Sequence, residues 1–295
     1  MEKTVADSST TKIQRTIYLV GGTSEANSAA LRLQEGGYRI VISVATPTGG
    51  EVAEAAGFNA EVGGKDAAAM EDRARGLEAV AIVDCSHPFA REASNQASQA
   101  AAAAGLPYLR YTRAPVAGLE YMAGGDCSEG WPGQGRPAVV SGITGTDNAA
   151  CPVITVPTFE AAAEQLSQIG GRSLLTLGTR HLETFVRAGL DFAVRILPIT
   201  ESLADCVRLG VEPRNIVAAW PPYSADFNRA CLRKVGASVI VTKDSGREGG
   251  LMEKLEAANA EGVRTIVVQR PHEPDAIHDL DELVSTLDSR LNSKS

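Results

Sequence analysis

A short apolar segment that runs into two glycines near the start of the chain constrains the fold most. Residues 17–20, Ile-Tyr-Leu-Val, lead into a Gly-Gly-Thr-Ser-Glu turn and then an alanine-rich segment. This pattern predicts a buried strand that turns sharply into a helix, because glycine permits the tight backbone path and leaves room for a ligand. The N–H groups at a helix start attract phosphate. We therefore predict a nucleotide cofactor in contact with Gly21, Gly22, Thr23, Ser24 and Glu25.

The same pattern returns in the second half of the chain, where residues 173–177 run into Gly178 and Thr179. Each copy is followed, at nearly the same spacing, by a second apolar strand that ends in polar residues, at Asp84 and at Thr242. Among the predicted elements are helices at 67–76 and 91–104 and strands at 60–62, 153–156 and 264–268. Strands that alternate with helices in this way form parallel sheets covered on both faces. The sequence predicts an α/β fold of two doubly wound Rossmann-like domains, whose parallel sheets face a central cleft that holds the ligand.

A length of 295 residues suits two domains of similar size. The predicted organisation is a disordered tail at 1–15, a dinucleotide-binding domain at 16–115, a linker with a glycine-rich insertion at 116–152, and a second, substrate-side Rossmann-like domain at 153–295.

Charge and composition exclude several classes of protein. A net charge of -8 argues against general nucleic-acid binding, which needs a positive surface. The first 15 residues lack the pattern of a signal peptide, and no apolar run is long enough to cross a membrane, so a cytoplasmic location without a membrane partner is expected. The five cysteines are scattered and none forms a C-x-x-C pair, so we predict neither a disulfide framework nor a metal site.

The segment after the second predicted strand bears on the choice of nicotinamide cofactor. NAD-dependent folds often carry an acidic residue there to bind the ribose hydroxyls. Residues 45–49 contain no acid and precede a short helix predicted at 51–56. Thr46 and Thr48 could instead donate to a 2′-phosphate. This favours NADPH, with NADH as the alternative. Ser86, after the strand at 79–83, is assigned to the same cofactor.

Several loop residues allow both a structural and a functional interpretation. Ser24 and Glu25 either cap a helix or contact the cofactor, and His87, before Pro88, is either a turn residue bonded to the backbone or a catalytic acid and substrate contact. Lys243 at a strand end is costly to desolvate unless it meets an anion. Arg180 and His181 at a helix start oppose the helix dipole, which also favours a bound anion. The predicted substrate-binding residues are His87, Arg180, His181, Tyr223, Ser224, Lys243 and Ser245.

Two familiar enzyme classes do not fit. A hydrolase built on Asp84, Ser86 and His87 would lack the G-x-S-x-G turn, and three near-neighbours after one strand cannot easily form the required relay. A short-chain dehydrogenase needs a tyrosine with a lysine four residues on, and none of the six tyrosines has one.

Taken together, the motifs resemble those of the precorrin-6A reductases of cobalamin biosynthesis, from about residue 16 to residue 271. They are Gly-Gly-Thr-Ser-Glu-Ala at 21–26, Asp-Cys-Ser-His-Pro-Phe-Ala at 84–90, Leu-Gly-Thr-Arg at 177–180, Pro-Tyr-Ser at 222–224 and Thr-Lys-Asp-Ser-Gly at 242–246. The chain departs from the family pattern in the insertion at about 121–137, in Pro222-Tyr223 and in Arg247.

The resemblance implies a pyridine-nucleotide-dependent reduction of one double bond of precorrin-6A to give precorrin-6B. Such a tetrapyrrole carries many carboxylates, which would suit the predicted cations together with Arg91 and Arg113. His87 or water would deliver the proton. The resemblance leaves open whether the substrate contains cobalt, and contact with neighbouring enzymes of the pathway is a further expectation.

Two alternatives remain at this point: another two-domain nicotinamide reductase of an anionic substrate, and a two-lobed protein that binds a small ligand.

Overall fold

A computed structural model describes residues 14–114, 153–246 and 249–293. The predicted tail up to residue 13 and the predicted linker and insertion at 116–152 lie outside the described residues. The chain divides into two compact units, Met1–Arg113 with Glu273–Ser295, and Ala114–His272, called the first and the second unit below.

The first unit contains a five-stranded, all-parallel sheet in the order β3-β2-β1-β4-β5. Its strands are β1 (Thr16–Val20), β2 (Arg39–Val44), β3 (Ala60–Val62), β4 (Ala79–Asp84) and β5 (Tyr108–Arg110). Its helices are α1 (Ser24–Glu35), α2 (Pro47–Ala55), α3 (Ala67–Gly76), α4 (Arg91–Ala104) and α10 (Leu280–Asn292).

Helix α10 packs on the first unit although it is the last element of the chain. Its buried Leu283 and Leu287 share a core cluster with Ala29 and Leu33 of α1. Full burial of a leucine side chain contributes about 1.5–3 kcal/mol, so this contact is substantial. The second domain predicted at 153–295 therefore does not coincide with the second unit, because residues 273–295, with α10, belong to the first. The sequence of α10 shows which of its faces is apolar but not which element that face packs against.

The second unit contains a six-stranded, all-parallel sheet in the order β6-β11-β10-β7-β8-β9. Its strands are β6 (Val153–Val156), β7 (Ser173–Leu175), β8 (Phe192–Ile196), β9 (Ile216–Ala218), β10 (Val239–Lys243) and β11 (Arg264–Val268). Its helices are α5 (Phe159–Ile169), α6 (Leu182–Arg187), α7 (Thr200–Arg208), α8 (Ala225–Val235) and α9 (Leu251–Ala260).

The two sheets repeat one topology. Strands β7 to β11 lie in the order β9-β8-β7-β10-β11, which matches β3-β2-β1-β4-β5, and β6 adds one strand beside β11. The order reverses next to β1 in the first sheet and next to β7 in the second, which is where doubly wound sheets bind ligands. The α/β prediction with two parallel Rossmann-like sheets is confirmed.

Helix α2 begins earlier than the sequence indicates. We predicted a short helix at 51–56, but it begins at Pro47, directly after Thr46. The Thr46 side chain accepts a hydrogen bond from the Gly49 N–H, and proline suits the first helical position. Most of the segment at 45–49, which carries Thr46 and Thr48, is therefore the cap and first turn of this helix.

Candidate functional site

The turn from β1 into α1 is packed so closely that only glycine fits. A Cβ atom on Gly21, where φ is +153°, would lie 2.7 Å from the Cys85 carbonyl oxygen. A Cβ atom on Gly22 would lie 2.9 Å from the Gly49 Cα. The turn thus brings three backbone segments together at the carboxyl end of the sheet: the ends of β1 and β4 and the start of α2. The close packing of these segments sets the two helix starts beside each other at the end of the sheet where a dinucleotide binds in this fold.

Thr23 and Glu25 are both engaged within the protein. The Thr23 hydroxyl accepts from the Ala26 N–H and donates to the Cys85 carbonyl, each at 3.4 Å, so it shapes the turn. Glu25, in the first turn of α1, forms an ion pair with Arg113, and both side chains are largely buried. The pairing offsets the negative charge that Glu25 would otherwise present to a phosphate. Ser24 is the first residue of α1 and donates to the Glu25 carboxylate at 3.1 Å.

The start of α2 lies beside this turn. Thr46 is exposed, and its hydroxyl accepts from Gly49 at 3.1 Å, which leaves its hydrogen free to donate. Thr48 is half-buried in the first turn of α2. Both threonines therefore lie at a helix N-terminus, where an anion is favoured. Among the described residues, these features of the first unit fit a bound phosphorylated dinucleotide.

A buried arginine holds the loop that follows β4. Arg110 of β5 is 7% exposed, and its Nη1 donates to the carbonyls of Asp84 at 3.2 Å and Ser86 at 2.8 Å. The Ser86 N–H donates to the Asp84 carboxylate at 2.9 Å, and the Ser86 hydroxyl is paired with Ser94 of α4 at 3.0 Å. Ser86 is only 8% exposed, so its main effect in this structure is to fix the loop.

His87 follows on the same loop and is half-buried. Its Nδ1 accepts from the Phe89 N–H at 3.2 Å, as the structural interpretation expected. A neutral imidazole that accepts at Nδ1 carries its hydrogen on Nε2, so the ring is set up to donate from Nε2. His87 can therefore accept from the Phe89 N–H at Nδ1 and donate a hydrogen bond to a ligand from Nε2 at the same time.

In the second unit, three cationic side chains come together at the carboxyl ends of β7 and β10. Arg180 is exposed on the loop after β7, and His181 and Lys243 are half-buried beside it. The His181 ring stacks on Phe159 at 3.7 Å between centroids. Thr179 on the same loop donates to Asp205 of α7 at 2.8 Å, which anchors the loop.

Burial and neighbouring positive charge both disfavour the charged forms of Lys243 and His181. Burial, followed by the charge of Arg180, lowers the pKa of Lys243 to about 8. Burial also lowers the pKa of His181, with smaller contributions from Lys243 and Arg180. A bound polyanion would relieve this repulsion, so the arrangement fits a substrate that carries carboxylates.

The loop from β9 into α8 carries Tyr223 and Ser224. The Tyr223 hydroxyl donates to the Ala219 carbonyl at 2.7 Å, and its ring stacks on Phe227. Ser224 caps α8 by accepting from the Phe227 N–H at 3.1 Å. Trp220, on the same loop, is 48% exposed and offers apolar surface.

The loop after β10 repeats the construction of the loop after β4. Asp244 accepts from the Gly246 N–H at 3.2 Å, as Asp84 accepts from Ser86, and Arg270 after β11 binds the Asp244 carboxylate at 2.8 and 3.0 Å. Ser245 donates to the Gly249 carbonyl at 2.9 Å and is 8% exposed. The contacts of Arg110 with Asp84 and of Arg270 with Asp244 were not predicted. In both halves of the sequence an aspartate at a strand end is followed by an arginine near the end of the next strand, and this repeat could have indicated the contacts.

Other groups play no evident part in the site. Cys85 is 1% exposed, and burial raises the pKa of its thiol, so it is poorly suited to act as a nucleophile. No group of three metal-ligating side chains occurs among the described residues. None of the described helices is both long and apolar enough to span a bilayer.

Comparison with known proteins gives consistent results. The model of the family "Precorrin-6x reductase CbiJ/CobK" matches residues 16–126 and 136–288. The cobalt-precorrin-6A reductase of Priestia megaterium is 32% identical over 260 residues, which cover 86% of this chain and 90% of that protein. The precorrin-6A reductase of Rhodococcus erythropolis is 27% identical over 285 residues, covering 92% and 95%.

A solved structure has the same fold. The structure titled "CobK precorrin-6A reductase" superposes with a TM-score of 0.66, at 24% identity, over 94% of this chain and 97% of that one. The resemblance seen in the motifs is thereby confirmed: the chain belongs to the precorrin-6x reductase CbiJ/CobK family.

Proposed function

We propose that this chain reduces one double bond of precorrin-6A to give precorrin-6B, with NADPH as the hydride donor. The observation that carries the substrate side is the cluster of Arg180, His181 and Lys243 at the carboxyl ends of β7 and β10, because Arg180 and Lys243 supply positive charge at a ligand-binding end of the sheet and His181 lies beside them. The family and its relatives name a reductase of this carboxylated macrocycle.

The first unit is proposed to bind the cofactor. The glycine turn at Gly21 and Gly22 lets the start of α2 and the end of β4 pack against it, and the N-termini of α1 and α2 both lie at this end of the sheet. Thr46 and Thr48 would donate to the 2′-phosphate, since residues 45–49, directly after β2, include no acidic side chain to bind an unmodified ribose. The bound nicotinamide supplies the hydride.

The second unit is proposed to bind the macrocycle. Arginine and lysine attract carboxylates by charge, and the arginine fork can grip one at two points. Tyr223, Ser224 and Trp220 offer aromatic and polar surface after β9 for the ring itself. Ser245 supports the loop that carries Lys243.

His87 is proposed as the proton donor. The proton would leave Nε2 of the protonated ring, in which both nitrogens carry hydrogen, so the bond from the Phe89 N–H to Nδ1 belongs to the neutral ring left after proton transfer; Arg110 keeps the loop in place. A general acid of this kind contributes roughly 10²–10⁴-fold to a rate. His87→Gln should lower kcat within this range and leave the Kd for NADPH unchanged.

The test of the function is an anaerobic assay of the purified protein with precorrin-6A and with its cobalt form, each with NADPH and with NADH. We expect oxidation of NADPH together with formation of the reduced macrocycle. Absence of cofactor binding, measured by quenching of NADPH fluorescence and by thermal protection, would rule out the reductase and favour a binding protein.

A further inference from the structure

Arg195 carries a buried positive charge in the second unit. It lies in β8 and is only 5% exposed. Other arginines of this unit pair with carboxylates, such as Arg270 with Asp244 and Arg229 with Glu261. Among the described residues, Arg195 forms no ion pair with a carboxylate.

Arg195 is hydrogen-bonded to Cys231 of α8, and its other contacts lead to the loop between β9 and α8. Its guanidinium carbon lies 3.9 Å from the centroid of the Tyr223 ring. Its Nη1 donates to the Asn228 side-chain oxygen at 2.6 Å, and the Asn228 amide donates to the Ser224 carbonyl at 2.8 Å. Arg195 therefore supports Tyr223 directly and Ser224 through one intermediate side chain.

This arrangement is costly for stability. Removing a cation from water carries a free-energy penalty, and burial lowers the pKa of Arg195. The aromatic ring and the amide oxygen offset part of this penalty. An apolar side chain would fill a β8 position in a sheet core without the penalty, so packing alone does not explain an arginine here.

We propose that Arg195 is a positioning residue for macrocycle recognition, which holds the Tyr223–Ser224 segment in the conformation that binds the substrate. The proposal rests on the proposed function, because it assigns Tyr223 and Ser224 to the substrate surface. Arg195 acts through Tyr223 and is not itself assigned a contact with the substrate.

The experiment is steady-state kinetics of the full chain with precorrin-6A and NADPH. Arg195→Gln keeps a donor toward Asn228 but removes the charge, and Arg195→Lys keeps the charge but removes the planar group that stacks on Tyr223. Both should raise the KM for precorrin-6A about thirtyfold, which corresponds to the loss of a desolvated cation–π contact, and leave kcat within about twofold. The Kd for NADPH should not change.

Arg172→Gln is the matched control. Arg172 precedes β7, at the amino end of the same sheet, and donates to the Val235 carbonyl at 2.7 Å and to Asn215 at 2.5 Å. Loss of this arginine should leave the KM for precorrin-6A unchanged. If Arg172→Gln raises this KM as much as Arg195→Gln, the effect is a general loss of structure and the proposal is wrong.

A double-mutant cycle tests whether Arg195 acts through Tyr223. Tyr223→Leu alone should raise the KM, and adding Arg195→Gln to it should have no further effect. Tyr223→Phe keeps the ring, so in that background Arg195→Gln should still raise the KM. If Arg195→Gln does not fold, the cycle is run with Arg195→Lys.

Two results overturn the proposal: a lower kcat at unchanged KM in the Arg195 variants, and fully additive effects of the Arg195 and Tyr223→Leu changes. These results presuppose that the unmodified protein reduces precorrin-6A. If it does not, the proposed function itself fails, which is a distinguishable outcome.

Discussion

Gly22 and Gly49 meet backbone to backbone, and a Cβ atom on Gly22 would lie 2.9 Å from the Gly49 Cα. Gly22 follows β1 and Gly49 lies in the first turn of α2. The contact joins two helix starts at the end of the sheet where a dinucleotide is expected, so the geometry of the proposed cofactor site depends on it.

Gly22→Ala should therefore weaken NADPH binding. The added methyl group must push the turn and α2 apart, and overpacking of this kind costs about 1–3 kcal/mol. The Kd for NADPH, measured by fluorescence titration, should rise accordingly. Gly76→Ala is the control, because a Cβ atom there has no neighbour within 4 Å, and its Kd should stay unchanged.

Thr46→Val should reduce the preference for NADPH over NADH. The change removes a hydroxyl that is proposed to donate to the charged 2′-phosphate, and such a hydrogen bond contributes about 1.5–3 kcal/mol. It also removes the cap of α2, but this loss affects the binding of both cofactors equally. The ratio of kcat/KM for the two cofactors measures the effect. Thr46→Ser retains the hydroxyl and should retain the preference; an unchanged ratio in Thr46→Val would exclude Thr46 as a 2′-phosphate ligand.

Substrate affinity should fall as the pH rises through about 8. Lys243 has a pKa of about 8, so it loses its charge above this pH and its attraction for carboxylates with it. The Kd for precorrin-6A, measured between neutral and alkaline pH, should show this transition. Lys243→Arg should remove the transition, because arginine stays charged, and a transition that persists in this variant would assign it to another group.

The lowered pKa of Lys243 also makes the free energy of unfolding depend on pH. The folded-state pKa of Lys243 lies below the ordinary value of 10.5, so the unfolded chain binds more protons between about 8 and 10.5. The contribution of Lys243 to the free energy of unfolding should therefore increase with pH across this window. Lys243→Met should flatten the dependence, which urea titrations at several pH values would detect.

Glu25→Gln should destabilise the protein. Glu25 and Arg113 form a largely buried ion pair, and removing one partner of such a pair costs about 3–5 kcal/mol. Glu183→Gln is the matched control, since Glu183 and Arg187 are exposed at 53% and 78% and such a pair contributes about 0–1 kcal/mol. Equal losses of unfolding free energy in the two variants would contradict the importance of the buried pair.

The local elements could be predicted well from the sequence. Helices α3 and α4 and strands β3, β6 and β11 have the predicted bounds, because capping residues, glycines and β-branched runs act over a few residues. The repeat of strand, glycine turn and helix also predicted two sheets of one topology, and the structure has them. The start of α2 was predicted too late. Thr46 caps the helix and Pro47 suits its first position, although Gly49 and Gly50 follow.

The sequence by itself determined the alternation of strands and helices, the position of the glycine turns and the presence of cations at strand ends, since these depend on neighbours along the chain. Only the tertiary structure decided that α10 packs on α1, that Arg113 is paired with Glu25, and that Arg195 lies against Tyr223. These contacts join residues far apart in the chain, and no local pattern specifies which buried charge or apolar face will meet which partner. The opening glycine turn is the clearest case: its residues predicted a tight bend, and the approach of Gly49 and Cys85 in space explains why it must be glycine.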